Sequence, residues 1–497
     1  MTLGRLPWPW FAAALVLFAA LALAMPVDHD EGQYVAAAHF VARGLIPYRD
    51  FAYLQTPLQP YLIAPLAWLA HGWLLVAARL ANALAVAVAA LLLGRTAVRL
   101  SGRTIAGPLA IIAVVAIDAV QFGATVARND ALPMLFFAAA LERLFAAHQI
   151  SPRRAALAGL LLALAASTKI SYALPTAAAA AMALWHARRA DRTQVAALIA
   201  GMAVGALPTV LFLAWQTKPF LFGAYHYSID AVTAWQTLLG TTERLGWGFR
   251  LRRLASLLVL GPALLMLVAV ALTQWRGRSR TDPRPLGISL SGLLIASLFA
   301  AILPTPVYRQ YLVPLVPPLI LLMALRGEAV IAWLRPRRML AAFAALVLAG
   351  SIFAGFVRSV SSAIRGPAAD RPIAIEREAH RIGQLGAQAG GGTIAGLDPL
   401  LLVDSGLRFD PRFASGPFLF RAGNLAACRD PALCPLTFAN LDRLDQAPPQ
   451  IIVTGSERKL PPTIRGGLDG TLDRWAQAKG YSATPLGAGR ILWTAPR

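Results

Sequence analysis

The chain has 497 residues, of which 57% are apolar and only 14% charged. A soluble protein of this length carries more charge, and the repeated apolar runs point to a polytopic membrane protein. A net charge of +22 would suit a nucleic-acid binder, but the arginines alternate with apolar spans instead of forming one stripe and read as membrane topology.

In chain order, apolar runs predict spans at roughly 8–26, 73–94, 104–124, 131–147, 155–168, 171–187, 193–215, 251–274, 286–303, 307–325 and 339–357. These are about eleven helices, most near the ~20 residues a bilayer needs. With the N-terminus inside, the inner connections carry Arg95, Arg99, Arg103, Arg153, Arg154 and further arginines as far as Arg338, against only Asp191, Asp282 and Glu328. Basic residues concentrate on the cytoplasmic side, so the N-terminus is expected inside and the loop at 27–72 outside. The first span has a second reading as a signal peptide, because Arg5 precedes it and Ala22-Leu23-Ala24 resembles a cleavage site.

The loop at 27–72 contains two amphipathic stretches. Glu31–Arg43 sets Tyr34, Val35, Ala38, His39 and Ala42 at helical spacing, and Thr56–His71 carries Pro57, Pro60 and Pro65, which disfavour a regular span. Both are expected to lie along the outer membrane–water boundary, with Tyr61 and Trp68 as anchors. A second outer loop, 216–250, is rich in aromatics.

From 358 onward charges return, and short apolar strings alternate with Gly and Pro: Thr393–Gly396, Leu400–Val403, Ile451–Val453 and Arg490–Trp493. These predict strands of a small extracytoplasmic α/β domain, so the expected division is a transmembrane domain at 1–357 and an outer domain at 358–497. Cys428 and Cys434 both fall there; a disulfide and free thiols are both open.

The densest chemistry is Asp28-His29-Asp30-Glu31, where the first span meets the outer loop. Asp28 or Asp30 can cap the helix that follows. Adjacent acids at the mouth of a helical bundle can also deprotonate a hydroxyl or hold a metal, although no second His stands at ligand spacing. Arg128-Asn129-Asp130 occupies a short turn on the same face, where Asp130 can cap a helix or join Asp30 in a polar pocket. Lys169 and Arg309 fall at two further outward turns. Such residues can be simple interfacial anchors. Together they also supply cations for a departing phosphate beside a base for a hydroxyl nucleophile. Arg79 and Asp118 lie inside spans and are expected to form a structural pair or to wall a polar cavity.

Asp30-Glu31-Gly-Gln-Tyr34, Gly44-Leu-Ile-Pro-Tyr48-Arg-Asp50 and Thr56-Pro57-Leu58 resemble the first-loop pattern of bacterial membrane glycosyltransferases of the GT-C superfamily. The similarity is to the protein O-mannosyltransferase and lipid A aminoarabinose transferase group, which is glycosyltransferase family 39-like. Ala78-Arg79-Leu80, Arg128-Asn129-Asp130 and the run from Gln310-Tyr311 to Pro317 recur in similar positions. The resemblance covers roughly 8–357 and implies a hexosyl- or pentosyltransferase. Such an enzyme moves a sugar from a polyprenyl-phosphate donor to a lipid, glycan or protein acceptor on the periplasmic face of the bacterial inner membrane, inverting the anomeric carbon. It maps the catalytic carboxylates onto Asp30, Glu31 and Asp130, and donor contacts onto Arg128, Lys169, Arg309, Tyr34 and Tyr311. No cofactor is certain; a divalent metal is compatible with the group. The rival classes are a transporter or flippase of lipid-linked sugars, expected to show broken helices in paired halves, and a non-catalytic scaffold.

Overall fold

The structure, a computed structural model, describes residues 7–145, 150–187, 191–276, 285–423 and 435–496. Cys428 and Cys434 lie outside the described residues, as do Arg188, Arg189, Arg278, Arg280, Asp282 and Arg284. In chain order the helices are α1 (Trp8–Ala24), α2 (Glu31–Ala42), α3 (Leu58–Leu69), α4 (Leu74–Ser101), α5 (Ala106–Val115), α6 (Asp118–Thr125) and α7 (Ala131–Phe145). There follow α8 (Pro152–Thr168), α9 (Ala173–Trp185), α10 (Arg192–Trp215), α11 (Thr217–Leu221), α12 (Tyr227–Leu238), α13 (Trp247–Leu258) and α14 (Ala263–Arg276). The last are α15 (Leu290–Ile302), α16 (Val316–Leu334), α17 (Arg338–Arg365), α18 (Pro372–Gln388), α19 (Leu400–Val403), α20 (Pro417–Phe420) and α21 (Asp469–Ala478).

Among the described residues, four helical stretches are long and apolar enough to cross a membrane: Leu74–Ser101, Arg192–Trp215, Arg309–Leu334 and Arg338–Arg365. Two bent pairs raise this to six if each pair is one span. Every predicted span contains a helix, but 104–124 and 251–274 are broken rather than continuous. The first bends by 73° between α5 and α6, and the second by 97° between α13 and α14.

The chain divides into two compact units. The first comprises Met1–Met25, Arg79–Thr209 and Trp247–Gly366, and the secondary structure of its described residues is helical. Its core is apolar and rich in alanine, with Phe18, Val86, Leu93, Ile111, Phe137, Leu141 and Leu319 buried. Small residues let backbones approach where there is no hydrophobic drive between helices in lipid. At α8 and α10, a Cβ on Gly159 would lie 2.0 Å from the Leu198 carbonyl oxygen, and one on Gly201 would lie 1.9 Å from that of Ala156. Ser167 Oγ donates to the Gly205 carbonyl at 3.0 Å across the same seam.

The two breaks satisfy each other. Bending a span frees backbone polar groups at membrane depth, where only protein can pair them. The N–H of Asp118, which opens α6, donates to the Leu260 carbonyl at 3.2 Å, and the N–H of Gly261 donates to Ser351 of α17 at 3.0 Å. Gly261 has φ +106°, and a Cβ there would sit 2.4 Å from the Ala116 oxygen, so this crossing admits only glycine.

The second unit comprises Pro26–Ala78, Val210–Gly246 and Pro367–Arg497. It holds a five-stranded sheet of β1 (Thr393–Gly396), β2 (Arg408–Phe409), β3 (Ile451–Thr454), β4 (Ser482–Gly487) and β5 (Arg490–Thr494), in the order β2-β1-β3-β5-β4. β1 runs parallel to β2 and β3, while β5 runs antiparallel to β3 and β4. Leu400–Val403, expected as a strand, is instead α19. Pro399 precedes it, and Asp398 Oδ1 accepts from the Leu400 N–H at 3.3 Å, so the local chain starts a helix.

The expectation that Glu31–Arg43 lies along a lipid boundary is corrected. α2 is buried from Glu31 through Phe40, and a Cβ on Gly32 would lie 2.9 Å from the Pro399 ring. A helix enclosed on every face is packed in protein, not laid on lipid. α3, by contrast, leaves Trp68 64% and Leu69 72% exposed. In the 216–250 loop the aromatics divide: Phe220, Tyr227 and Trp235 are buried, whereas Tyr225 and Trp247 are exposed.

Candidate active site

In the first unit, α6 and the turn after it gather a charged cluster. Asp118 is buried between two arginines: Arg309 Nη1 lies 3.5 Å from Oδ1, and Arg358 Nη1 donates to Oδ2 at 3.2 Å. One turn along α6, Phe122 presents its ring to Arg309 at 3.7 Å and to Arg128 at 5.5 Å. Arg128 Nε lies 3.4 Å from Asp130 Oδ2, and Asp130 Oδ1 accepts from Lys169 Nζ. The Lys169 ammonium in turn lies 5.7 Å from the Tyr311 ring centre. Asp130, Arg128 and Lys169 are all buried.

Secondary structure explains why these side chains sit where they do. Asp130 immediately precedes α7 and Lys169 follows α8, so each charge opposes the helix dipole beside it. Asn82 of α4 donates from Nδ2 to the carbonyls of Val126 (2.7 Å) and Arg128 (2.9 Å), fixing the extended segment between α6 and α7. Asn129 Nδ2 donates to the Thr168 carbonyl at 3.3 Å, which ties that turn to the residue before Lys169.

Four cationic side chains, Arg128, Lys169, Arg309 and Arg358, thus meet two carboxylates, Asp118 and Asp130. The cluster keeps a positive excess, which suits an anionic group such as a phosphate. Arg79 has a different job. It is fully buried and donates from Nη1 to the carbonyls of Ala22 (2.7 Å) and Met25 (2.8 Å), the C-terminal end of α1. Asp118, expected in a structural pair, is the bridge between Arg309 and Arg358.

The remaining predicted residues lie in the second unit. Asp28 and Glu31 form a reciprocal cap at the start of α2: Asp28 Oδ1 accepts from the Asp30 N–H at 3.1 Å, and Glu31 Oε1 accepts from the Asp28 N–H at 2.6 Å. Glu31 is therefore buried and held in the turn, and Tyr34, one turn on, is buried as well. The Asp30 side chain is 29% exposed, its Oδ1 3.9 Å from His29 Nδ1. His29 Nε2 lies 2.7 Å from Glu457 Oε1. Burial lowers the His29 pKa, but the neighbouring Asp30 carboxylate and the hydrogen bond to Glu457 outweigh it and raise the value above 6.5. Phe418 packs edge-on against the His29 ring and stacks under Arg421, whose guanidinium also covers Trp235. Tyr227 donates to the Phe418 carbonyl at 2.7 Å.

Sequence reasoning missed Asn82, Phe122, Arg358, His29 and Glu457 as parts of these groups. Asn82 stands three residues after Arg79, and Phe122 four after Asp118, so helical spacing carried a signal for both. The composition shift at 358 places Arg358 in the outer domain, whereas α17 runs on to Arg365. Glu457 carried no local signal, because its partner lies 428 residues away in sequence. Among the described residues, no group of three or more His, Cys, Asp or Glu converges as a metal centre would require.

Several solved structures share this fold. ArnT from Cupriavidus metallidurans, bound to undecaprenyl phosphate, matches with a TM-score of 0.59 at 15% identity over 99% of this chain and 100% of its own. The Archaeoglobus fulgidus oligosaccharyltransferase tethered to an acceptor peptide matches with a TM-score of 0.54 at 12% identity, over 98% of this chain and 74% of its own. The mycobacterial arabinofuranosyltransferase AftD gives 0.53 at 19% identity, over 98% of this chain and 40% of its own. No curated protein matches the sequence.

The fold is that of the GT-C membrane glycosyltransferases, as the first-loop motifs implied. The glycosyltransferase family 87 profile matches residues 53–304, just over half of the chain. The chain belongs to glycosyltransferase family 87, a polytopic membrane enzyme.

Proposed function

We propose that this enzyme transfers a hexose or pentose from a polyprenyl-phosphate carrier to an acceptor hydroxyl on the outer face of the bacterial inner membrane, with inversion. In the reaction Asp30 takes the acceptor proton as the acceptor oxygen bonds to the anomeric carbon. The bond from that carbon to the phosphate oxygen breaks, and the electron pair leaves with the polyprenyl phosphate. A single displacement of this kind inverts the centre. Arg128, Lys169 and Arg309 stabilise the charge that develops on the phosphate, Asp130 holds Arg128 and Lys169 in place, and Tyr311 shields the ammonium. Glu31 sets the turn that presents Asp30, and Tyr34 packs behind it. In this reading the helical unit is the transmembrane part with a cytoplasmic N-terminus, and the α/β chain from Pro367 onward lies outside.

The observation that carries the reading is the excess of cations over carboxylates around Phe122, with Arg128 and Lys169 buried and Arg309 and Arg358 partly open to solvent. The undecaprenyl phosphate held by the ArnT structure, and the acceptor peptide held by the oligosaccharyltransferase, lend support by fold. The broken spans are the feature shared with the carrier class, and one experiment separates the two. The protein is reconstituted in liposomes with synthetic polyprenyl-phosphate sugars, and released carrier phosphate and product are measured. Wild type releases carrier, and nuclear magnetic resonance of the product shows inverted anomeric configuration. D30N lowers transfer by about 10²–10⁴-fold, the usual worth of a general base. R309A weakens donor use and leaves the fold intact. Full transfer by D30N, or translocation of the lipid without release of carrier, refutes the proposal.

A further inference from the structure

A second basic cluster lies at the other end of α4. Arg95 and Arg99 are one turn apart, roughly 24–30 Å beyond Arg79 at ~1.5 Å per residue, about the thickness of a hydrocarbon core. With Glu142 and Arg143 of α7 and Arg154 in the first turn of α8, they line a cavity of about 230 Å³, whose apolar wall is Leu92. That is room for several water-sized groups.

The arrangement is more than scattered topogenic charge. Glu142 is buried, accepts from Arg99 Nη1 at 2.6 Å through Oε1, and lies 3.3 Å from Arg143 Nε through Oε2. One carboxylate therefore orients two guanidiniums within the helix bodies. Among the described residues, Arg95 and Arg154 have no ion-pair partner, although both face the same cavity. The N-terminal end of α8 adds the positive pole of its dipole there. Four guanidiniums against one carboxylate leave a strong local excess, at the depth where a span meets lipid headgroups. Guanidinium forks match phosphate oxygens bidentately, and the apolar wall at Leu92 suits the first methylenes of a lipid.

We infer that this cavity binds the phosphate headgroup of an acidic phospholipid. Arg95 and Arg154 are its direct ligands, and Glu142 positions Arg99 and Arg143 around it. The site is separate from the cluster around Phe122 and is independent of the proposed donor chemistry.

The test is native mass spectrometry of the full-length protein in detergent, titrated with short-chain phosphatidylglycerol, short-chain phosphatidylcholine or inorganic phosphate. Wild type is expected to hold one phosphatidylglycerol saturably, in clear preference to phosphatidylcholine, and inorganic phosphate is expected to compete poorly. R95Q/R154Q should weaken retention roughly thirtyfold, the factor two surface cations represent. R153Q removes one charge, against two in R95Q/R154Q, from an exposed neighbour outside the cavity and should leave retention nearly unchanged. Three results overturn the inference: no preference for phosphatidylglycerol over phosphatidylcholine in wild type, equal losses in R153Q and R95Q/R154Q, or competition by inorganic phosphate as strong as by the lipid. The first and third need no variant to fold.

Discussion

A buried carboxylate facing two cations is sensitive to the loss of any one partner. D130A leaves the Lys169 ammonium and the Arg128 guanidinium without their shared counter-charge, in a position closed to solvent. Breaking such a pair costs about 3–5 kcal/mol, so D130A should lower the thermal midpoint in detergent sharply, whether or not donor is present. An unchanged midpoint would remove Asp130 from its positioning role. His29 makes a pH-dependent contribution instead. Its folded pKa is raised from 6.5 to about 10, because the effect of burial is exceeded by the Asp30 carboxylate and the hydrogen bond to Glu457. The folded state thus binds the proton more tightly. The stability this gives is complete below about pH 6.5 and disappears as pH rises toward 10. Half of the imidazole surface is open to water, so screening keeps the effect small. Midpoints of wild type and H29Q should converge between pH 7 and 10; parallel curves would contradict the clasp. At this scale the sequence announced charge but not pairing. Asp130, Lys169 and Arg309 were legible as acids and bases at outward turns. That Phe122 would stand between Arg128 and Arg309 depends on the bend before α6, which residue types do not reveal.

At the level of elements, the first turn of α4 shows how a helix start can be completed by distant chain. No local side chain caps it. The Leu74 N–H donates to Asp404 Oδ2 at 3.0 Å, and the Val76 N–H donates to Glu376 Oε1 at 2.9 Å. Burial raises the pKa of Glu376 to about 8 against the pull of the Val76 and Leu75 N–H donors, and the nearby Asp404 adds to the rise. A carboxyl that holds its proton more tightly when folded favours the folded state less as pH rises, here between 4.5 and about 8. E376Q should flatten that slope and keep the cap, whereas E376A should cost about 1–2 kcal/mol as a lost cap. Identical pH profiles for wild type and E376Q would refute this. Element positions were largely readable, because hydropathy finds helices by their length and apolarity. The breaks at Ala116 and Gly261 were not, since both runs are apolar on either side and the bends depend on carbonyls and N–H groups from other helices. G261A should abolish accumulation of folded protein. Normal expression and activity of G261A would show that the close crossing tolerates a side chain.

On the scale of the whole molecule, the GT-C glycosyltransferase fold was accessible from a few short motifs, whereas family 87 was not, the motifs having pointed to a family 39-like group. Their order along the chain carries the information that each one lacks alone. The grouping of 26–78 and 210–246 with 367–497 was not accessible, because it rests on pairs such as His29 with Glu457 and Tyr227 with Phe418, far apart in sequence. Burial of α2 likewise needs Pro399 and the C-terminal chain around it, and its own composition looked like that of a surface helix.

The attachment of Arg79 to the end of α1 bears on how the enzyme is matured. A leader that signal peptidase discards normally ends in an extended, accessible stretch, free of the domain it delivers. Here the corresponding seventeen-residue helix supplies Phe18, Leu21 and Ala22 to buried positions and the Ala22 carbonyl to an intramembrane guanidinium. Excision after Ala24 would open a trough in the helical unit and take away one acceptor of a buried cation. Peptide mapping of protein purified from membranes should therefore recover fragments spanning Trp8 to Arg43. Their consistent absence would mean that the anchor is shed.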